Sequence, residues 1–364
     1  MKITSARKID HIKLSIEKSV ESNIDTGFKD VRFVHMSLPE IDLSAIDIHT
    51  YFLKHRLLAP LVIESITGGT PQAMKINSNL AKAAEDLGIA IGVGSQRAAL
   101  ENRNLIDTYS IVRDKAPSVP VLANLGAPQL LDENAVDYAR EAIKMLKANA
   151  LIIHLNALQE AVQPEGQTNF KEVLKKLSEI SKKIDVPLIA KETGSGISIE
   201  MAKYLKSAGV KIIDVGGLGG TSWAAVEYYR ASKAKKGNKA KLGKTFWDWG
   251  IPTVASLVEV SSIRGMVSIA SGGVRTGLDV AKSIALGANL VGMALPLLKP
   301  ATQDSIKVKR VLDNIIQELK TTMFLTGAKD IKSLRDMPVV ISGSTKEWLI
   351  QRGFNIKYLI KKRS

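Results

Sequence analysis

The sequence contains no cysteine. Disulfides, thiolate zinc sites, iron–sulfur clusters and a cysteine nucleophile are thereby excluded. It also lacks a long apolar run. The two longest charge-free stretches, 116–131 and 283–298, have 16 residues each and both contain proline, short of the ~18 apolar residues of a spanning helix. No membrane association is expected. The N-terminus, MKITSARKIDHIKLSIEKSV, is charged throughout and has no apolar stretch, unlike a secretory signal, so a cytoplasmic location is expected. Aromatics are scarce at 5%, whereas glycine is plentiful at 27 of 364 residues. That balance suits an α/β protein with aliphatic strands and glycine-bearing turns.

Acidic residues are in deficit, 36 against 51 Lys and Arg, for a net charge of +15. Such an excess serves either a nucleic-acid surface or a basic shell around a site for a small anion. The lysines are spread along the chain, with a cluster at 231–244 and a tail at 361–363. No nucleic-acid motif accompanies them, so the small anion is the expected partner.

From residue 59 onward, short aliphatic runs alternate with amphipathic stretches. The runs are 61–66, 89–93, 120–125, 150–155, 187–191, 211–215, 266–270 and 290–294, each strand-like and apolar enough to be buried on both faces. Helical periodicity marks 73–87, 134–147, 170–183, 199–207 and 277–286. Eight such βα units are the count of a closed (β/α)₈ TIM barrel, which takes roughly 250 residues. The expected organisation is an N-terminal extension over the barrel mouth (1–58, with a helix covering at least 15–20), a barrel (59–326) and a C-terminal appendix (327–364). The long connection 218–250 holds a helix-like stretch and then a basic, glycine-punctuated segment that reads as a mobile lid.

Polar residues and glycines gather at the C-terminal ends of the runs, the face where barrel active sites sit. Two glycine-rich turns, Gly216-Gly217-Leu218-Gly219-Gly220-Thr221 and Ser271-Gly272-Gly273-Val274-Arg275, suit a phosphate, which backbone amides, Thr221 and Arg275 would hold. Lys191 ends a strand deep in the barrel. It suits either a cation facing N1 and O2 of an isoalloxazine or a Schiff-base nucleophile, and FMN is the preferred reading. Thr67, Ser95 and Asn124, at three other strand ends, would bond the ring's polar edge. Arg7, Lys8, Gln96, Arg97, His154 and Asn156 are candidates for an anionic substrate. Glu160 is the metal candidate, since Mg²⁺ takes one or two carboxylates beside phosphate oxygens. Trp223, Phe246, Trp247 and Trp249 are candidates to wall off water. His35, His49 and His55 show no metal-ligand spacing.

Read in order, Arg7-Lys8 with His11, Thr67-Gly68-Gly69, GVGSQR at 92–97, His154-Leu155-Asn156 with Gln159-Glu160, KETGSG at 191–196, GGTSW at 219–223 with Glu227, DWGIP at 248–252 and SGGVR at 271–275 resemble the type 2 isopentenyl-diphosphate isomerases, a family of FMN-dependent barrels. The resemblance covers nearly the whole chain. It implies interconversion of isopentenyl and dimethylallyl diphosphate with reduced FMN, Mg²⁺ and a reductant such as NADPH, in a homo-oligomer, with a tetramer favoured. It implies FMN contacts at Ser65, Ile66, Thr67, Gly68, Ser95, Asn124, Lys191, Thr221, Gly272, Gly273, Arg275, Ala294 and Leu295. It implies substrate contacts at Arg7, Lys8, Ser95, Gln96, Arg97, His154, Asn156 and Gln159, and participation of Gln159, Glu227 and His154 in the chemistry. The nearest alternative is a flavin-dependent 2-hydroxy-acid oxidase, which needs a histidine base after the sixth strand. The chain has Gly216-Gly217 there and no histidine. A basic flavoprotein that binds nucleic acid is the further alternative.

Overall fold

The computed structural model describes residues 3–356, with side chains from Arg7 onward; the basic tail at 361–363 lies outside the described residues. Eight parallel strands close into a barrel: β1 (Leu61–Ile63), β2 (Ala90–Gly92), β3 (Val121–Gly126), β4 (Ala150–Leu155), β5 (Leu188–Glu192), β6 (Ile212–Asp214), β7 (Val267–Ala270) and β8 (Leu290–Met293). All eight fall inside the runs read from sequence to within a residue, because strands covered by helices outside and side chains inside carry no polar face to blur their limits. Strand β8 returns to pair with β1 through Val291↔Leu61.

The barrel interior is filled by Val62, Ala90, Leu122, Ile152, Ile189, Ile212 and Leu290, and below them Phe52 and Leu57 join the same apolar cluster. These two come from an antiparallel hairpin, Thr50–Phe52 with His55–Leu57, which plugs the N-terminal end of the barrel. Polar chemistry is thereby left to the other end.

The N-terminal helix spans Ile3–Glu17, upstream of the 15–20 stretch expected, and its side chains Arg7, Lys8, His11, Ile12 and Ser15 recur at helical spacing on one face, toward the barrel mouth. In the long connection the helix-like stretch is helix Trp223–Lys233, and the basic segment after it, read as a lid, carries a second helix, Gly237–Thr245. Val20, Ala225 and Val226 form a small core there, and the Trp247 indole donates to the carbonyl of Glu21 at 3.0 Å. In the C-terminal segment, Val339–Ile341 pairs antiparallel with Val31–Phe33 of the N-terminal extension. No helix among the described residues is long and apolar enough to cross a membrane.

Candidate active site

A cavity of about 250 Å³ opens at the C-terminal ends of the strands beneath the N-terminal helix. Its floor is ionic. Lys191, from β5, reaches across the barrel to Glu64 Oε2 (3.0 Å) and Asp214 Oδ2 (2.9 Å). Ser271 Oγ lies 3.4 Å from Lys191 Nζ and itself donates to Asp214 Oδ1. Burial disfavours the lysine's charge, but the two carboxylates outweigh it and hold Lys191 above its ordinary range. Glu64 is pushed up to about 8 by burial and by Asp214, against the pull of Lys191. Space for the Glu64 carboxylate exists because residue 292 is glycine: a Cβ there would lie 1.8 Å from Glu64 Oε1. Lys191 was legible in the sequence; Glu64 and Asp214 were missed, although an acid inside each of the aliphatic runs 61–66 and 211–215 was the available signal.

The floor and the far wall fit a flavin mononucleotide. Ser65 Oγ is buried and unpartnered, and both Ser65 and Asn124 line the cavity with Ile66, Thr67 and Ser95. On the opposite wall, Gly272 (φ +100°) and Gly273 (φ +72°) turn the chain so closely against the neighbouring turn that a Cβ on either would meet Gly217 or Gly219 backbone within 2.5 Å. Their amides have no protein acceptor among the described residues, a cradle ready for an anion. Thr221, Arg275, Ala294 and Leu295 border it. Gly68 sits apart from the lining, packed so close to the Tyr109 ring that a Cβ would be 2.0 Å from it.

The near wall carries the cations Arg7, Lys8 and Arg97. Lys8 Nζ donates to Ser95 O (2.8 Å) and Tyr109 Oη (2.5 Å), and burial, with Arg7 close by, lowers it to about 7. Arg97 Nε is held by Glu101 at 2.7 Å and its Nη1 by Gln167 at 3.1 Å. The His154 Nδ1 lies 2.8 Å from Asn124 Oδ1; burial and then Lys191 depress it to about 4, so it is a neutral imidazole at physiological pH. Gln96 departs from expectation. Its side chain is wholly buried and points into the scaffold, donating to Ala142 O and accepting from Asn124 N, both at 2.9 Å; it braces β3 rather than lining the cavity. Of the four aromatic candidates only Trp223 lines the cavity, edge-on to His11 with ring centres 5.0 Å apart.

Gln159 and Glu227 are brought together: Gln159 Nε2 donates to Glu227 Oε1 at 3.3 Å, and His11 Nε2 lies 2.9 Å from the same oxygen. Glu227 is fully buried and absent from the lining, so it reaches the cavity through Gln159 and His11. Burial alone would push it up, yet His11 and Arg230 (2.5 Å) hold it below its ordinary value. His11 was quoted in the resemblance but not placed in the site.

Glu160 is buried and accepts from Asn156 Nδ2 (2.9 Å), Gln163 Nε2 (2.5 Å) and Gln167 N (2.7 Å). Asn156 Oδ1 and Gln163 Oε1 beside it are buried without a partner. One carboxylate with two idle amide oxygens is an all-oxygen donor set that fits Mg²⁺ once phosphate oxygens complete it. No cluster of three acidic or imidazole ligands occurs among the described residues.

Fold and site together define a flavin-binding (β/α)₈ barrel. Residues 126–340 match the family model described as FMN-dependent dehydrogenase. Solved structures of this shape include a Pediococcus acidilactici lactate oxidase (TM-score 0.67, 16% identity, 94% of this chain and 96% of that one) and a flavocytochrome b2 with sulfite bound (TM-score 0.66, 17% identity, 92% and 83%). Sequence narrows the class. The isopentenyl-diphosphate delta-isomerase of Methanosarcina mazei is 49% identical over 98% of this chain and 97% of its own; that of Archaeoglobus fulgidus is 48% identical over 96% and 99%. The chain belongs to the isopentenyl-diphosphate delta-isomerase family.

Proposed function

We propose that this chain interconverts isopentenyl and dimethylallyl diphosphate, with FMN on the ionic floor and no net oxidation. The observation that carries this against the oxidase alternative is the end of β6. A Cβ on Gly217 would lie 2.4 Å from Thr253, and one on Gly216, at φ +46°, 2.1 Å from the Glu192 carbonyl. A histidine base has no room there, and hydride abstraction from a hydroxy acid needs one.

Bound and reduced, FMN supplies an electron-rich ring that stabilises positive charge developing on a protonated alkene. The protein residues do the rest. Lys8, Arg7 and Arg97 hold the diphosphate with directed, charge-assisted bonds. Glu160, with the amide oxygens of Asn156 and Gln163 beside it, would hold Mg²⁺, which would supply positive charge to neutralise the diphosphate. His154, neutral, donates or accepts at the same mouth. Gln159, anchored by the ionised Glu227, faces the reacting carbons, and a proton bound for Glu227 passes by way of Gln159 or His11. Trp223 and the N-terminal helix exclude water. NADPH or another reductant keeps the flavin reduced. Self-association belongs to the same reading and is supported by exposed Val34, Met36, Leu38 and Val340; light scattering gives its stoichiometry.

The deciding assay is anaerobic: dithionite-reduced protein, isopentenyl diphosphate and Mg²⁺. Dimethylallyl diphosphate should form, and a 2-hydroxy acid should not reduce the oxidised flavin. The opposite pair of results would reverse the assignment. Glu160→Gln, which keeps shape but removes the charge, should raise the Mg²⁺ requirement at least ~10-fold with FMN retention intact; an unchanged metal titration would remove Glu160 from the metal site.

A further inference from the structure

The floor carries a carboxylate that the reaction above does not use. Glu64 and Asp214 share one cation, Lys191, at 3.0 and 2.9 Å, and both are buried. With both ionised, the cluster is net negative directly beneath the ring site. Among the described residues the surroundings supply no second counter-charge. Glu64 faces Lys191 from β5, Asp214 from β6 and Gly292 from β8, with Ser271 after β7. His154, opposite Lys191 in the β4–β5 register, is neutral. Glu192 is tied to the amides of Thr193, Gly194 and Ser195 at its own turn. Glu64 Oε1 is buried with no hydrogen-bond partner and lines the cavity. It is the one oxygen of the cluster able to take a proton without breaking a contact already made.

We propose that Glu64, where it is ionised in the oxidised protein, takes up a proton when the bound flavin is reduced, turning the floor neutral as the ring becomes anionic and freeing Lys191 to face it. The proposal rests on the reading that the cavity holds FMN. Two electrons and one proton from water convert the bound flavin to its anionic reduced form. A second proton from water converts the Glu64 carboxylate to a carboxyl. Like charges a few ångströms apart in a buried site disfavour joint ionisation, so ring reduction and Glu64 protonation favour each other, and linkage makes the coupling reciprocal. Glu64 is a positioning residue: it sets the charge that Lys191 presents.

The test is the reduction potential of the holoprotein's flavin, followed by spectroelectrochemistry on either side of pH 8, where free Glu64 changes charge. Its slope against pH counts protons per two electrons. The wild type should take up one proton well below pH 8, where Glu64 already holds its own, and approach two above it. Glu64→Gln should stay at one throughout. A wild-type count fixed at one overturns the proposal, as does a rise that persists in Glu64→Gln but vanishes in Asp214→Asn. Should Glu64→Gln fail to fold, the wild type alone decides. Its reduced-minus-oxidised infrared spectrum above pH 8 should gain the carbonyl band of a protonated carboxyl, and absence of that band overturns the proposal. A wild type that retains no FMN overturns the cofactor reading itself, and this proposal with it.

Discussion

Lys191 shows what a single residue does in a buried site. Its sequence position announced a cation at a strand end, but its partners come from β1 and β6, more than 20 residues away in either direction. Lys191→Ala leaves the buried Asp214 carboxylate without its counter-charge, and breaking a buried pair in this way costs about 3–5 kcal/mol. Urea unfolding should register that loss, together with failure to retain FMN; parent-like stability and flavin retention would remove Lys191 from both roles. Lys8 is the second such residue. In the folded state it titrates at about 7 rather than 10.5, so between those values the unfolded chain binds more protons and Lys8 makes stability rise with pH. A diphosphate favours the charged amine. Binding should therefore take up a proton above pH 7 and weaken as pH rises through that value. Calorimetric binding heats at pH 8 should depend on the ionisation heat of the buffer, and heats independent of buffer would place the anion away from Lys8.

Elements aim these side chains. The barrel was legible because eight aliphatic runs with polar termini have few other ways to fold, and helix 199–207 was read to the residue. The N-terminal helix was displaced in the reading because its apolar face is narrow: Arg7, Lys8 and His11 occupy positions that periodicity assigns to solvent, and their partners lie across the mouth. The basic second half of the 218–250 connection misled for a related reason. Lysines and glycines read as a loop, yet Trp247 and Ala225 pack its helices against the N-terminal segment, and tertiary contact overrides weak local propensity. Arg97, at the start of helix Arg97–Glu101, tests the element's role. Arg97→Ala, or deletion of 1–8, should lower kcat/KM by ~10-fold or more, at least ~1.4 kcal/mol of transition-state stabilisation. Steady-state kinetics at fixed Mg²⁺ and full flavin reduction check this, and a neutral Arg97 would move the diphosphate elsewhere in the mouth.

At the scale of the whole molecule, the net charge of +15 raises the local concentration of anions, but the surface and the site contribute differently. Lys235 and Lys236 are exposed, so their charges are screened beyond about 8 Å at physiological salt. Replacing both by Ala should change kcat/KM less than ~3-fold, measured beside Arg97→Ala, and the small difference should shrink further as salt is raised. A larger loss at the lysine pair than at Arg97 would put anion entry over helix Gly237–Thr245. The docking of the C-terminal segment is another property of the whole. Glu259, fully buried on the helix Thr253–Ser261, is satisfied by Trp348 Nε1 at 3.1 Å and Arg352 Nε at 3.2 Å from the C-terminal segment, which makes 327–356 part of the barrel's support.

The sequence alone determined the barrel, the count and positions of its strands, the end on which chemistry sits and most of the residues that line it. These depend on local periodicity and on the direction of parallel strands, which every βα unit repeats. Only the tertiary structure decided which carboxylates face Lys191, that Gln96 turns inward, that Glu227 stands behind Gln159 and His11, and that the basic connection is helical. Each of those is set by partners distant in the chain, and burial then fixes the charge each group carries. Neither partner nor burial is written in the spacing of residues.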